Sequence, residues 1–267
     1  MGDATYVIGI KIQRDRFQGL LGLSQETYIN KVLERFRMKD CSPSIAPIVK
    51  GDRFNLDQCP KNDLEREKMK NIPYASAVGS LMYVHVCTIP DIAFAVGMLG
   101  RYQSNPSIDH WKAAKKVMRY LQGTKDYMLM YRRTNNLEVI GYSDSDYVGC
   151  IDLRKSTSRY VFMLAGEVVS WRSAKQTLIA TSTMEAEPLK IYCDNSAAIF
   201  MAKNNKSSSR NKHIDIKYLA LRERVKEKAV VIEHVSTELM IVDPLTKGMP
   251  PLKFKDHVDR LGLGSFI

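Results

Sequence analysis

Apolar and polar residues alternate over residues 5–12 (TYVIGIKI), a period of two that predicts a strand, and residues 19–23 (GLLGL) predict a partner across the polar turn at Arg14 to Gln18. Ser24 then stands at a capping position before a helix over about 25–38, with Tyr28, Ile29, Val32, Leu33 and Phe36 on its apolar face. Residues 41–73 hold Pro43, Pro47, Pro60 and Pro73 with little periodicity, and read as a long connecting loop. Helical spacing returns at about 74–87, 90–103 and 107–122, the last ending at Gly123. In that third helix Trp111, Ala114, Val117 and Leu121 share one face, and Lys112, Lys115, Lys116 and Arg119 lie largely off it.

Near residue 134 the pattern changes. Residues 137–143, 159–165, 167–173 and 177–182 are strand-like with turns between them. A strand at 189–193, a short helix at about 195–203, a helix at about 211–228, a strand at 229–235 and a last helix near 251–261 follow. Strands first, then alternating strand and helix, predict a mixed α/β sheet with helices packed on it. The expected boundary lies at Thr134–Asn136, which divides the chain into 1–134, 135–250 and a C-terminal helix or tail over 251–267.

The 267 residues suffice for one large domain or two small ones. With 45% hydrophobic and 26% charged residues the composition is that of a globular chain and argues against disorder. Forty Lys and Arg against twenty-nine Asp and Glu give a formal charge of +11, which suits a polyanionic partner, nucleic acid or anionic membrane, and also a merely basic soluble protein. Between 111 and 133 seven residues are basic and only Asp126 is acidic. That helix is either a phosphate-tracking surface or a solvated face. No apolar run is long enough to span a bilayer, and the N-terminus has no signal-like segment, so an intracellular protein, cytoplasmic or nuclear, is expected. Five cysteines at 41, 59, 87, 150 and 193, without a CxxC pair, argue for a reducing compartment and against a disulfide framework or zinc site.

Acids recur where strands are expected to end. Asp144 and Asp146 follow 137–143, Glu185 and Glu187 follow 177–182, Asp194 follows 189–193, and Asp243 opens VDPLTKG. A sheet fixes the backbone of such residues and leaves the carboxylate at the rim. Several on adjacent strands form a site for a hard cation, magnesium being the usual choice. Two such ions about 4 Å apart can activate water and stabilise a leaving oxygen in phosphodiester cleavage. Acids after strands also serve as turn residues and helix caps, so spacing alone leaves both readings open.

The words of the sequence say more. IPYASAVGSLMYV (72–84), PDIAFAVGMLGRY (90–102) and HWKAAKKVMRYLQGT (110–124) resemble the end of copia-type retrotransposon reverse transcriptase. GYSDSDYVGC (141–150), RKSTSRYVFML (154–164), SWRSAKQTLIATSTMEAE (170–187), IYCDNSAAI (191–199), KHIDIKYL (212–219) and DPLTKG (243–248) resemble the attached ribonuclease H. The resemblance covers nearly the whole chain in one order. It implies a ribonuclease H-like mixed sheet with flanking helices, preceded by a mostly helical thumb or connection remnant of the reverse transcriptase.

It also implies that Asp144, Glu187, Asp194 and Asp243 match the four metal-binding carboxylates, with Asp146 and Glu185 as neighbours, and that magnesium is the cofactor and an RNA–DNA hybrid the partner. Lys112, Lys115, Lys116, Arg119, Arg210 and Lys212 are the expected phosphate contacts, and His213 is expected to pack or cap. The palm acids of the polymerase, a Tyr-x-Asp-Asp word in the family, are absent, so DNA synthesis is not expected of this chain. Ile89 and Arg159 stand where the family usually has Arg and Gly.

A larger departure lies between Glu187 and Pro188, where the family carries a long helix and loop. Seven residues of strand from Glu187 to Asp194 span roughly 23 Å, whereas the metals they should share sit about 4 Å apart. The absent helix is also a crossover between parallel strands, which needs about a dozen residues. Either Glu187 leaves the site or the strand order fails. The expected activity, hydrolysis of RNA in RNA–DNA hybrids, is therefore impaired in this copy. The alternative is a catalytically dead nucleic-acid-binding remnant.

Overall fold

The strand expected over 5–12 is two strands. β1 (Tyr6–Val7) turns through Ile8 and Gly9, at φ of 43° and 78°, into β2 (Ile10–Asp15). This computed structural model describes residues 3–52, 54–150, 155–175, 189–203, 223–227 and 230–265. β3 (Leu20–Ser24) returns antiparallel to β2, with Lys11 opposite Ser24 and Asp15 opposite Leu20. The Ser24 hydroxyl accepts the Glu26 amide at 3.1 Å, which starts α1 (Glu26–Arg35) and turns Ile29, Val32 and Leu33 into the core.

The segment read as a loop, 41–73, contains a helix, α2 (Asp63–Lys70). Met69 is its buried residue, so it has no apolar stripe by which spacing would reveal it. Local interactions hold it instead. Asn62 caps the Glu65 amide at 2.9 Å, and Arg66–Asp63 and Lys70–Glu67 pair one turn apart at 3.0 and 3.1 Å. α3 (Tyr74–Cys87) and α5 (Ile108–Gly123) follow the expected spans, but the helix expected over 90–103 reduces to α4 (Ala93–Leu99) between two 3₁₀ turns. β4 (Met128–Arg132) then pairs antiparallel with β3. Its sequence, MLMYR, has no alternation to mark it as a strand. The first part of the chain is thus helical over most of its regular structure, as expected, with a small sheet that the expectation did not include.

The second sheet begins with the antiparallel run β5 (Val139–Cys150), β6 (Lys155–Leu164) and β7 (Glu167–Lys175). β8 (Leu189–Cys193) lies parallel to β5 on its other side, and β9 (Val230–His234) lies parallel to β8. The order is β7-β6-β5-β8-β9. β8 lies beside β5, so no failed strand order is seen among the described strands, and the residues that join β7 to β8 lie outside them. α6 (Ser196–Lys203) follows β8, and the strand expected at 177–182 lies outside the described residues, as does most of the helix expected at 211–228. After β9, α7 (Pro251–Arg260) leads into β10 (Leu263–Gly264), which pairs with β4 and completes the first sheet in the order β1-β2-β3-β4-β10.

One core runs through both sheets. Leu33, Val78, Leu81, Leu99 and Val117 pack in the same cluster as Val161, Met163 and Val168 of the second sheet and Met240, Leu245, Phe254 and Val258 beyond it. Each such side chain removed from water contributes about 1.5–3 kcal/mol. Two polar contacts fasten the same seam: the Trp171 indole N–H donates to the His85 carbonyl at 2.9 Å, and the Tyr131 hydroxyl donates to the Val168 carbonyl at 3.0 Å. A smaller cluster, Ile199, Ala202, Val230 and Ile232, seats α6 on the parallel strands.

Candidate active site

β5 does not stop before Asp144, as the sequence pattern suggests; it continues to Cys150, with Asp144 opposite Arg159 of β6. What stops is its pairing with β8. Ile140, Gly141 and Tyr142 face Lys190, Ile191 and Tyr192, and beyond this last pair Asp144 continues along β5 while Asp194 follows the end of β8 by one residue. Alternation along a strand puts residues two apart on one face. The rings of Tyr142 and Tyr192 lie 5.3 Å apart, so both strands present their even-numbered residues to the same side. Gly141 keeps the strands close: a side chain there would meet the Phe162 ring at 2.8 Å.

Asp194 begins the turn from β8 into α6. The Asn195 amide donates to Cys193 Sγ at 3.4 Å, and Asn195 Oδ1 caps the Ala198 amide at 3.0 Å. The Val235 amide closes the far side by donating to the Cys193 carbonyl at 3.1 Å. Burial pushes the Cys193 thiol upward, and the charges of Asp194 and Asp144 add to the effect.

Asp243 opens a 3₁₀ turn, Asp243–Leu245, and is 3% exposed. Its Oδ2 accepts from Lys247 Nζ at 2.8 Å, while Oδ1 is buried without a hydrogen-bond partner. Burial raises its pKa, Lys247 opposes the rise, and the Asp194 charge adds to it. Asp194 thus lies within electrostatic reach of both Cys193 and Asp243, and Asp144 within reach of Cys193. Glu187 and Glu185 lie outside the described residues, as do Arg210, Lys212 and His213. The strand that follows Glu187 starts at Leu189, five residues and roughly 16 Å from Asp194.

All three described acids offer hard carboxylate oxygens, and the unpartnered Oδ1 of Asp243 suits a cation. Among the described residues no three His, Cys, Asp or Glu side chains converge closely enough to hold a metal as they stand.

The basic helix α5 is occupied by its own chain. Lys112 pairs with Asp109 at 3.0 Å, Lys116 with Asp52 at 2.6 Å, and Lys115 Nζ lies 5.4 Å from the centre of the Trp111 ring. The Arg119 Nε is buried without a partner.

Two polar features escaped the sequence pattern. Lys247, four residues after Asp243, could have been found from the spacing of opposite charges. Asp91, just after Pro90, is 1% exposed and takes a hydrogen bond from the Tyr120 hydroxyl. Burial pushes its carboxyl up to about 6, against the Tyr120 bond and nearby backbone amides.

No family model matches the chain. It is 38% identical over 291 aligned positions to the retrovirus-related Pol polyprotein from transposon TNT 1-94 of Nicotiana tabacum, an alignment covering 99% of this chain and 22% of that protein. It is 33% identical to the corresponding polyprotein from transposon RE2 of Arabidopsis thaliana, over 98% of this chain and 19% of that one. The chain therefore spans about a fifth of the length of these curated relatives. A shorter stretch, 45% of this chain, is 50% identical to 84% of secreted RxLR effector protein 161 of Plasmopara viticola. The alignment with the tobacco polyprotein is longer than the 267 residues available, so that relative carries residues this chain lacks.

Proposed function

The chain belongs to the retrovirus-related Pol polyproteins of plant copia-type transposons, and on that premise we propose that its second sheet carries a metal-dependent ribonuclease H-type site, impaired in this copy. The observation that carries the reading is that β5, which bears Asp144, runs parallel to β8, which Asp194 follows, that both acids act on the Cys193 thiol, and that Asp194 lies within electrostatic reach of Asp243. The sheet holds the Asp144 backbone, the turn into α6 holds that of Asp194, and a cation would have to draw their carboxylates together. The strand order, three antiparallel strands with two parallel ones added to the first, supports a ribonuclease H-like arrangement. Magnesium bound there would activate water and stabilise the leaving oxygen of a phosphodiester.

The residues of this chain set the terms for that ion. Asp144 and Asp194 would contribute oxygens from neighbouring strands, and Asp243 would contribute its unpartnered Oδ1, with Lys247 holding Oδ2 and so fixing the side chain. Glu187, the fourth acid by resemblance, precedes a strand whose start lies roughly 16 Å of extended chain before Asp194. A site short of one ligand holds a second ion weakly, hence the impairment. The proposed substrate is an RNA–DNA hybrid. No helix among the described residues is long and apolar enough to cross a membrane.

The test is cleavage of end-labelled RNA in a hybrid by the purified chain, with magnesium and with chelator. The expected result is cutting that is undetectable or far slower than that of a full-length relative, restored by inserting a family helix between Glu187 and Pro188. Cutting at a normal rate that Asp144→Asn abolishes would refute the impairment. A second reading, a remnant that binds nucleic acid without chemistry, is favoured by the lack of a converging three-ligand group among the described residues. It predicts salt-dependent hybrid binding that the helix insertion leaves without cleavage.

A further inference from the structure

The basic helix that the sequence offers as a nucleic-acid contact holds Lys116 in a half-buried pair with Asp52 and Lys115 beside the Trp111 ring, while Lys112 keeps only an exposed pair with Asp109. A different surface has the required chemistry. The hairpin joining β2 to β3 turns through Arg16, Phe17, Gln18 and Gly19, and Phe17 is 101% exposed. Its position is imposed by the turn: Asp15 Oδ1 accepts the amides of both Phe17 and Gln18 at 2.9 Å, which fixes the backbone and points the ring away from the sheet. Gly19, at φ +66°, closes the turn, and a Cβ there would sit 2.9 Å from the Arg133 Cβ. The Arg133 amide donates to the Gly19 carbonyl at 2.7 Å, and Arg132 lies opposite Leu20. Arg16, Arg132 and Arg133, all exposed, are thus carried on the same hairpin and the strand end beside it as the exposed Phe17 ring.

The acids facing this cluster do not cancel it. Asp15 turns its carboxylate inward to the two amides. Asp3 pairs with Arg16 at 2.5 Å, but both side chains are more than 60% exposed, and such a pair is easily exchanged for a phosphate. Glu167 lies near Arg132 and acts on it through space. What remains is an exposed aromatic ring on a hairpin with three exposed arginines in or next to it. Unstacked bases and their phosphates match that combination, since every base has a face to stack and every linkage carries a negative charge.

We propose that the Phe17 hairpin is a contact for single-stranded nucleic acid, separate from the carboxylates of the second sheet: a base stacks on Phe17 while Arg16, Arg132 and Arg133 take the flanking phosphates. The proposal rests on nucleic acid being the partner of this chain.

Fluorescence anisotropy of labelled oligo(dT), oligo(rU) and a blunt duplex tests it on the whole chain. Phe17→Ala should weaken single-strand binding by roughly fivefold to a hundredfold, the range for loss of one stacked base, and leave the duplex nearly unchanged. Phe17→Trp should preserve affinity, and its fluorescence should be quenched on binding. Arg132→Ser with Arg133→Ser should weaken binding and flatten its salt dependence. If the wild-type chain binds oligonucleotides and Phe17→Ala binds equally well, or loses duplex binding to the same extent, the hairpin proposal is overturned and the nucleic-acid partner stands. If the wild-type chain binds none of the three probes, both fall.

Discussion

Replacing Asp91 with Asn tests the account of the buried core through pH. The carboxyl sits 1% exposed between the start of α4 and Tyr120 of α5, and burial lifts its pKa from 3.8 to about 6. Between those values the folded chain keeps a proton that the unfolded chain has released. Stability from this group is therefore greatest below about pH 4 and declines as pH rises to about 6. The displacement of about two units corresponds to about 3 kcal/mol. Asn cannot titrate and still offers an oxygen to the Tyr120 hydroxyl. The stability of Asp91→Asn relative to wild type should therefore improve by about 3 kcal/mol from pH 4 to pH 7.

Urea unfolding at each pH, with slopes held common, supplies the measurement. Taking the difference removes the contribution of His85, His110 and His257. Burial lowers all three pKa values, so their stabilising effect runs the other way and is lost as pH falls below the ordinary histidine range. Tyr120→Phe, which deletes a bond favouring the charged carboxylate, should move the Asp91 transition to higher pH. A difference between wild type and Asp91→Asn that stays flat from pH 4 to pH 7 would refute the argument.

Gly248→Ala would bring a Cβ within 2.5 Å of the Val49 carbonyl oxygen, a backbone atom that cannot swing aside. The expected loss is about 1–3 kcal/mol of unfolding free energy, measured by urea titration. Trp171→Phe keeps the ring in the seam and deletes the N–H bond to His85, leaving a carbonyl to find water, and should cost about 1 kcal/mol in the same assay with a single transition retained. Reversing charge at Lys112, Lys115 and Lys116 together should weaken hybrid binding and reduce its salt slope. Unchanged affinity would make α5 a solvated face, and Lys116→Glu alone should destabilise by repelling Asp52.

The elements that could be read from the sequence are those with an outward sign of burial. α5 carries its stripe of Ala114, Val117 and Leu121, and Ser107 accepts the His110 amide as a cap, so its limits agree with the spacing to within a residue. α2 has no stripe, and β10 is only two residues long with its partner far back in the chain, so no local pattern marks either. For the acids, the pattern set Asp144 and Asp194 at the ends of adjacent strands; Asp194 does follow β8, but alternation ended β5 too soon. Polar residues continue to pair with β6 after the apolar run is exhausted, as Ser145 opposite Ser158 does. The Lys247 contact to Asp243 and the burial of Asp91 depend on what the fold brings around each carboxyl, and only the folded chain supplies that.

The pairing of β10 with β4 has a consequence for how the molecule is made. On the ribosome, β4 emerges about 130 residues before the strand that covers its edge, which at 5–20 residues per second is a delay on the order of ten seconds. Throughout that time the first sheet has an open flank, and its core lacks Phe254, Val258 and Leu263. The nascent chain must therefore wait, with unpaired backbone exposed, for its last elements, and chaperone binding during synthesis should concentrate on the flank at Met128–Arg132.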